Sequence, residues 1–251
     1  MFLTRLILNP RSRQVRSELA QPYEMHRTLM RAFPKAPTDK EGKAREKFGI
    51  LFRADVDDRC NRVIVFVQSI IKPDWSFLDG HSDYLLADSD LPNLACKEVT
   101  EAYRELQDGQ VLSFRLRANP TKRIGKVIKG DSGLKGKRVG LLREEEQIAW
   151  LTRKGHEREK GMPGGFEIAM NQVEDPNGEQ RLVPRVNVCR EGKQRGRKRE
   201  DGRPHETTHL AVRFDGLLRI TNAEAFRETL AKGIGSAKAY GFGLMSIAPV
   251  H

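Results

Sequence analysis

A chain of 251 residues, 38% of them hydrophobic, has room for one large domain or two small ones. Its formal net charge of +11 predicts an acidic partner, and nucleic acid is the commonest one. No apolar run approaches the roughly 20 residues of a membrane-spanning helix, so a membrane partner is disfavoured. The N-terminal apolar segment is interrupted by Arg5, unlike a signal peptide, and Cys60, Cys96 and Cys189 lack the spacing of a zinc site. A reducing, cytoplasmic location is therefore expected.

The start of the chain predicts a strand followed by a helix. Residues 2–8 are apolar and β-forming, and Pro22 suits the first turn of a helix that runs to Phe33. Met25, Leu29 and Phe33 recur at helical spacing and are expected to form its buried stripe.

Four segments continue this pattern up to residue 120. Residues 48–53 and 62–69 predict two strands joined by a turn, and residues 73–101 predict an irregular stretch with short helical turns. Residues 110–118 alternate between polar and apolar side chains, as a half-exposed strand does. The order β-α-β-β-(α)-β is the ferredoxin-like arrangement.

Two basic runs that contain glycines interrupt the second half of the chain. The first, residues 121–138, has too few apolar residues to bury and predicts a mobile loop. A predicted helix at 143–160 and strands at 166–174 and 181–190 follow it, and the second run occupies 190–204. A basic run is usually a solvated face, but these runs are internal and bounded by strands, which favours contact with RNA phosphates. With the open face of the preceding strand, they supply the candidate RNA-binding residues Arg115, Arg117, Lys122, Arg123, Lys126, Lys129, Arg190, Lys193, Arg195 and Arg197.

The last fifth of the chain predicts a hairpin, a helix and a strand. Thr207–Asp215 and Leu217–Thr221 are expected to form the hairpin, because Asp215-Gly216 is a favoured turn sequence. Residues 223–232 predict the helix and residues 242–247 the strand.

The second half therefore repeats the elements of the first. The predicted fold class is α+β with two tandem ferredoxin-like (RRM-like) domains. We expect an N-terminal domain at residues 1–120, a basic linker at 121–142 and a C-terminal domain at 143–251. Recognition of single-stranded RNA on an open sheet is disfavoured, because the stacked aromatic residues of an RRM are missing.

A glycine-rich segment near the C-terminus has a regular spacing. Gly233 and Gly235 precede five residues that include Lys238, and Gly241 and Gly243 follow them. Backbone amides of such a loop can converge on an anion, to which the lysine adds a positive charge. A tight helix-to-strand connection is the alternative, and the lack of Gly-Lys-Ser/Thr argues against a nucleotide-binding P-loop. The spacing favours contact with a phosphate.

Tyr23, His26 and Arg27 are expected together on one face of the first long helix, next to its buried stripe. Histidine titrates near neutral pH, and a neighbouring tyrosine can donate a proton or a hydrogen bond. RNA cleavage through the substrate's own 2′-hydroxyl needs a base, an acid and positive charge, without a metal or a cofactor. Arg27 is the candidate RNA-binding residue of this helix, and we expect it to offset charge on the phosphate. A lone helical histidine is more often a surface or packing residue, and the sequence does not assign base and acid between His26 and Tyr23.

Asp55, Asp57 and Asp58 raise the alternative of a metal-dependent nuclease. No further carboxylate motif accompanies them, and the histidines lack metal-ligand spacing. A solvated hairpin turn is the preferred interpretation, so we expect no metal and no cofactor.

Four segments carry a family resemblance: residues 2–10, 21–29, 114–122 and 233–244. The combination of Pro-Tyr-Glu-Met-His-Arg in the first helix with the glycine-rich segment is more specific than either alone. Together the segments resemble the CRISPR-associated endoribonucleases of the CasE type, in the RAMP superfamily, over the whole chain.

The resemblance implies two ferredoxin-like domains that bind the hairpin of a CRISPR repeat and cleave precursor CRISPR RNA at the base of the stem. It implies a metal-independent reaction that leaves a 2′,3′-cyclic or 3′ phosphate and a 5′-hydroxyl. It also implies retention of the guide RNA beside other Cascade protein subunits, and it places His26 and Tyr23 at catalytic positions. The alternative is a non-catalytic RNA-binding subunit of a ribonucleoprotein.

Overall fold

The computed structural model describes residues 1–35, 45–57, 61–87, 91–125, 136–156, 163–174, 177–200 and 203–250. They form two compact units, each built from segments that are discontinuous in the chain. The first unit comprises residues 1–106, 194–208 and 230–244, and the second comprises residues 107–193, 209–229 and 245–251. Within the described residues, no helix is both long enough and apolar enough to cross a membrane.

The first unit contains a four-stranded antiparallel sheet. Up to residue 106 its elements are β1 (Phe2–Leu8), α1 (Arg13–Ala20), α2 (Pro22–Met30), β2 (Leu51–Asp57), β3 (Arg62–Ser69), a 3-10 turn (Ser76–Gly80), β4 (Leu94–Glu98) and α3 (Thr100–Arg104). The sheet order is β2-β3-β1-β4, and every neighbouring pair is antiparallel. The predicted buried stripe is confirmed, because Met25, Leu29 and Phe33 lie in one buried cluster with Leu6 and Val65 of the sheet. The helix itself ends at Met30, three residues before its predicted end at Phe33.

A buried carboxylate, that of Glu18, connects α1 to its surroundings. Glu18 is 4% exposed and accepts hydrogen bonds from Gln14 at 2.8 Å, Thr28 at 2.7 Å and Tyr84 at 2.6 Å. A buried carboxylate is costly unless its oxygens are satisfied, so the three donors stabilise it. Because Thr28 lies on α2, the network fixes α2 against α1 and against the segment that carries Tyr84.

From residue 107 onward the chain forms a second antiparallel sheet with two helices. The elements are β5 (Val111–Ala118), β6 (Thr121–Arg123), β7 (Arg138–Gly140), α4 (Glu144–Gly155), β8 (Phe166–Ile168), β9 (Met170–Glu174), β10 (Gln180–Pro184), β11 (Val186–Glu200), β12 (Arg203–Ile220), α5 (Ala223–Lys232) and β13 (Met245–Pro249). The sheet order is β11-β12-β5-β13, and β8 also pairs with β12. The pairs β6–β7 and β9–β10 form separate two-stranded ribbons. The predicted alternation of β5 is confirmed, because every second residue from Leu112 to Ala118 is buried.

The predicted hairpin at Asp215-Gly216 is wrong. β12 continues through Gly216 and pairs with β5 from Val212 to Arg219. A Cβ atom at Gly216 would lie 2.3 Å from the carbonyl oxygen of Arg185. Glycine is therefore required there by the close approach of another backbone and not by a turn.

The second basic run lies largely in β11 and β12. Two segments expected to lack regular structure, residues 73–101 and the first basic run, also contain strands. The irregular stretch at 73–101 contains β4, which pairs with the distant β1. The first basic run begins in β6 and ends in β7.

The division into units differs from the predicted domain boundaries. The predicted N-terminal domain, residues 1–120, includes β5, whose sheet partners β12 and β13 come from the last part of the chain. Conversely, residues 194–208 and 230–244 belong to the first unit. Strand pairing between segments that are distant in the chain determines this division, and the local periodicity of the sequence does not reveal such pairing.

Candidate active site and nucleic-acid interface

Tyr23 and His26 share one face of α2, as their spacing predicts. Pro22 opens the helix, and the two ring centroids are 5.9 Å apart. His26 is 3% exposed, and its imidazole stacks on Phe52 of β2 with 6.2 Å between centroids. Tyr23 is partly exposed and is therefore the more accessible of the two.

Tyr240 brings a third ring to this site. It lies in a 3-10 turn of the glycine-rich segment, and its ring centroid is 5.7 Å from that of Tyr23. The Thr207 hydroxyl donates to the phenol oxygen of Tyr240 at 3.3 Å. A Cβ atom at Gly196 would lie 2.1 Å from a ring carbon of Tyr240, so this position must be glycine for the ring to fit. The first unit thus joins the first helix to the last fifth of the chain.

The glycine-rich segment adopts backbone conformations that favour glycine. Gly235, Gly241 and Gly243 have φ angles of 87°, 79° and 92°, in the left-handed region. A Cβ atom at Gly241 would lie 3.1 Å from the ring of Phe52, so the segment packs against β2. These glycines let the segment turn sharply beside the residue on which His26 stacks.

Two of the predicted phosphate contacts in the first unit are engaged within the protein. The Lys238 ammonium donates to the carbonyl oxygen of Lys232 at 2.6 Å, near the C-terminal end of α5. The Arg27 guanidinium pairs with Glu24 one turn earlier on α2 at 3.1 Å. Both pairs are solvent-exposed, so exchange of these partners for a phosphate costs little.

Arg115 and Arg117 lie on the open face of β5, as predicted, within a ladder of charges in the second unit. Arg115 and Arg213 both donate to the carboxylate of Asp215, the latter at 2.8 Å. Arg117 donates to Glu191 at 2.6 Å, and Arg213 lies 3.6 Å from the same carboxylate. Two carboxylates therefore offset most of the charge of three guanidinium groups.

The ribbon of β6 and β7 carries the exposed side chains of Lys122 and Arg123. The Lys122 ammonium donates to Glu146 of α4 at 2.8 Å, and this hydrogen bond holds the pKa of Glu146 below its usual value. Lys126 and Lys129 lie outside the described residues.

β11 carries the remaining basic candidates. Arg190, Lys193 and Arg195 are exposed, and Arg190 donates to the carbonyl oxygen of Leu142 at 3.4 Å. Arg197 also lies in β11. Arg195 directly precedes Gly196, the glycine that accommodates Tyr240. Because neighbouring residues of a strand point to opposite faces, Arg195 lies on the face of β11 away from Tyr240.

The aspartates that suggested a metal site have other surroundings. Asp55 and Asp57 lie in β2, and Asp58 lies outside the described residues. The buried guanidinium of Arg53 donates to both carboxylate oxygens of Asp55, at 2.8 and 3.0 Å. Across the described parts of the chain, no three His, Cys, Asp or Glu side chains are grouped as metal ligands.

Comparison with known proteins identifies the family. A family model described as "CRISPR associated protein" matches residues 1–249. The CRISPR-associated endoribonuclease Cse3 of Thermus thermophilus is 36% identical over 254 residues, which cover 99% of this chain and 100% of that protein. The Cascade subunit CasE of Escherichia coli is 34% identical over 152 residues, covering 58% of this chain and 62% of that protein. The chain belongs to the CRISPR-associated proteins of the CasE type.

Solved structures extend this similarity to the fold of the CasE-type chain. A structure of Cse3 bound to a 19-nucleotide RNA is 34% identical, with a TM-score of 0.71 over 99% of this chain and 100% of that one. Thermus thermophilus Cse3 bound to an RNA representing a pre-cleavage complex is 33% identical, with a TM-score of 0.67 over 99% and 98%. The α+β fold with antiparallel sheets is thus common to these proteins.

Sequence reasoning missed two residues of the candidate site, Tyr240 beside Tyr23 and Thr207 beside Tyr240. The signal for Tyr240 was its place between the two Gly-apolar-Gly units, where an aromatic residue interrupts small ones. Thr207 gave no such signal, because its contact with Tyr240 joins segments far apart in the chain.

Proposed function

We propose that this CasE-type protein is an endoribonuclease that binds the hairpin of a CRISPR repeat and cleaves precursor CRISPR RNA at the base of the stem. The observation that carries the proposal is the packing of Tyr23 against both His26 and Tyr240. Further support comes from the full-length similarity to a protein named an endoribonuclease.

Cleavage proceeds by attack of the RNA's own 2′-hydroxyl on the adjacent phosphorus. His26 and Tyr23 supply the base that accepts the 2′-hydroxyl proton and the acid that protonates the departing 5′-oxygen. The new P–O2′ bond forms as the P–O5′ bond breaks, which leaves a 2′,3′-cyclic phosphate and a 5′-hydroxyl. Arg27 offsets the negative charge that develops on the phosphorane. No step of this reaction uses a metal or a cofactor.

The basic ribbons hold the RNA by its phosphates. A-form RNA offers mainly phosphates and 2′-hydroxyls to a protein, so exposed cations on a ribbon suit it. Lys193 and Arg195 contribute more than Arg115 and Arg117, because carboxylates already pair with the latter two. In the first unit, Lys238 exchanges a backbone carbonyl for a phosphate beside the turns of Gly235, Gly241 and Gly243. We expect binding to weaken steeply as salt concentration rises.

Both units are ferredoxin-like domains in this proposal. In the first, β1, β2, β3 and β4 lie in the order β4-β1-β3-β2, with α1 and α2 after the first strand. In the second, β5, β8, β12 and β13 lie in the order β13-β5-β12-β8, with α4 after the first strand and α5 after the third. The same order of four antiparallel strands in both units supports this assignment.

The test is cleavage of the cognate repeat hairpin by the purified chain in EDTA. Wild-type protein should cut, whereas His26→Ala should bind the RNA and leave it intact. His156→Ala is the matched control, because His156 is an exposed histidine of the second unit, and it should cut normally. An RNA with a 2′-deoxy nucleotide at the cleavage site should bind and stay whole. Normal cutting by His26→Ala would remove His26 from the mechanism, and cutting of the deoxy substrate would exclude 2′-hydroxyl attack.

A second candidate function is a non-catalytic RNA-binding subunit, and the burial of His26 favours it. The imidazole of His26 is 3% exposed, so its neighbours must move before it can contact an RNA, whereas RNA binding without catalysis needs no such movement. This function predicts that wild-type protein binds the hairpin and never cuts it, so the EDTA assay separates the two.

We also propose that the protein remains on the mature guide RNA as a Cascade subunit. Its relative in Escherichia coli is named as one, and many phosphate contacts favour slow product release. The cytoplasmic location predicted from the cysteines suits such an assembly.

A further inference from the structure

The β9–β10 ribbon, formed by Met170–Glu174 and Gln180–Pro184, is exposed on both faces. Every described residue from Met170 to Val183 is exposed, and the two strands pair only with each other among the described strands. A two-stranded ribbon leaves backbone N–H and C=O groups open along both edges. It is marginally stable in water unless something covers it.

Four large hydrophobic side chains are exposed on the β9–β10 ribbon. Leu182 is 68% exposed, Met170 50%, Val173 46% and Val183 38%. The antiparallel register places Met170 and Leu182 on one face and the two valines on the other. Single exposed hydrophobic residues are ordinary, but two neighbouring ones on each face of one short ribbon mark an interaction surface.

The charge of this segment is opposite to that of the chain. Residues 166–185 contain four acidic and two basic residues, a net charge of −2 in a protein of net charge +11. An RNA partner does not fit, because its phosphates would face the carboxylates of Glu174 and Glu179. A second copy of the chain in a two-fold contact would also bring the same acidic ribbon against itself. A partner with positive charge fits.

The base of the ribbon is held to β12 by backbone hydrogen bonds. Arg185 donates to Ala169 at 2.7 Å, Ala169 donates to Leu217 at 2.9 Å, and Leu217 donates to Arg185 at 2.9 Å. This ring forms where Gly216 allows the backbones to approach. The ribbon thus projects from a fixed base, which lowers the ordering cost of binding a partner.

We propose that the β9–β10 ribbon is a docking site for a partner protein that presents an apolar surface rimmed by Lys and Arg side chains. The proposal rests on the proposed function, in which the chain assembles with other Cascade protein subunits. The apolar side chains supply the buried centre of the contact, and the acidic residues select a basic rim.

The experiment assembles the other Cascade subunits of the same organism on a CRISPR RNA that lacks the repeat hairpin, so that the chain cannot be retained through that RNA, then adds the full chain and measures how much of it co-purifies with the complex. The test variant is Met170→Gln with Leu182→Gln. The matched control is Leu142→Gln, which alters a leucine that is 60% exposed elsewhere on the second unit. Loss of two apolar contacts should lower the affinity for the assembled complex roughly tenfold or more. RNA cleavage by the isolated variant should stay at the wild-type level, which also shows that it is folded.

The outcomes separate the docking proposal from the proposed function. Loss of co-purification in the double variant, with the control and RNA cleavage unchanged, supports docking. Equal recovery of the variant and the wild type overturns it, as does failure of the wild type to join the complex. A dimer of the isolated wild type that disappears in the variant would show that a second copy is the occupant. Weaker hairpin RNA binding by the variant would assign the ribbon to RNA, and absence of cleavage by the wild type would refute the proposed function alone.

Discussion

Replacing Tyr84 by Phe tests how strongly the buried Glu18 network stabilises the first unit. Tyr84 is 1% exposed, and its hydroxyl donates to Glu18 at 2.6 Å. Phe keeps the ring and removes the donor, and hydrogen bonds to charged groups contribute about 1.5–3 kcal/mol. Gln14 and Thr28 continue to donate to the carboxylate. We therefore expect the free energy of unfolding to fall by about 2 kcal/mol.

Urea unfolding followed by circular dichroism measures this change. Tyr103→Phe is the matched control, because no hydrogen bond of the Tyr103 hydroxyl occurs among the described residues, and it should cost less than about 0.5 kcal/mol. A loss below about 0.5 kcal/mol in Tyr84→Phe as well would mean that the Glu18 network does not stabilise the fold.

The pH dependence gives an independent check on Tyr84. Burial, the charge of Glu18 and the hydrogen bond to it all raise the pKa of Tyr84, in that order of importance. An unfolded tyrosine titrates near pH 10, so above about pH 10 the unfolded state releases a proton that the folded state keeps. Stability then falls by about 1.4 kcal/mol per pH unit, and below pH 10 the contribution is complete. The advantage of wild type over Tyr84→Phe should shrink above pH 10, and a constant difference up to pH 11 would refute the reasoning.

Three further changes test other parts of the structure. Burial lowers the pKa of His209, so below about pH 6.5 the unfolded chain binds a proton that the folded chain does not, and the wild type loses stability as the pH falls. Urea unfolding of His209→Gln should therefore show a smaller loss of stability between about pH 6.5 and pH 5 than that of the wild type. In Gly155→Ala the new Cβ atom would lie 2.1 Å from a backbone carbonyl oxygen, so the free energy of unfolding, measured by thermal unfolding, should fall by more than about 2 kcal/mol. In the control Gly80→Ala the new Cβ atom meets nothing within 4 Å, so the free energy of unfolding should change little. Glu146→Gln removes an exposed ion pair with Lys122 and should leave the midpoint of thermal unfolding nearly unchanged in the same measurement, and a clear drop of the midpoint would mean that this pair stabilises the fold.

Local patterns predicted the elements whose neighbours in sequence decide their structure. The stripe of Met25 and Leu29 located α2, and the alternation after Val111 located β5. The i, i+3 spacing placed Tyr23 and His26 on one helix face, and their ring contact follows from it.

Long-range contacts decided what these patterns missed. Asp215-Gly216 has the composition of a hairpin turn, yet the glycine is required by the close approach of the backbone at Arg185, between β10 and β11. The burial of Glu18 was equally hidden, because its donor Tyr84 lies in a segment without helical or strand periodicity. Likewise, the open face of β5 was predictable, but its pairing with Glu191 depends on β11.

The glycine-rich segment illustrates why composition alone left its role open. A positive φ at Gly241 and the contact of that residue with Phe52 turn the chain so that Tyr240 faces Tyr23. Gly196 leaves room for the same ring. These glycines are thus explained by the position of one aromatic side chain, without any anion. In the proposed enzyme, the glycine-rich segment therefore has two roles. It positions the ring of Tyr240 against Tyr23, and it supplies Lys238 for contact with a phosphate.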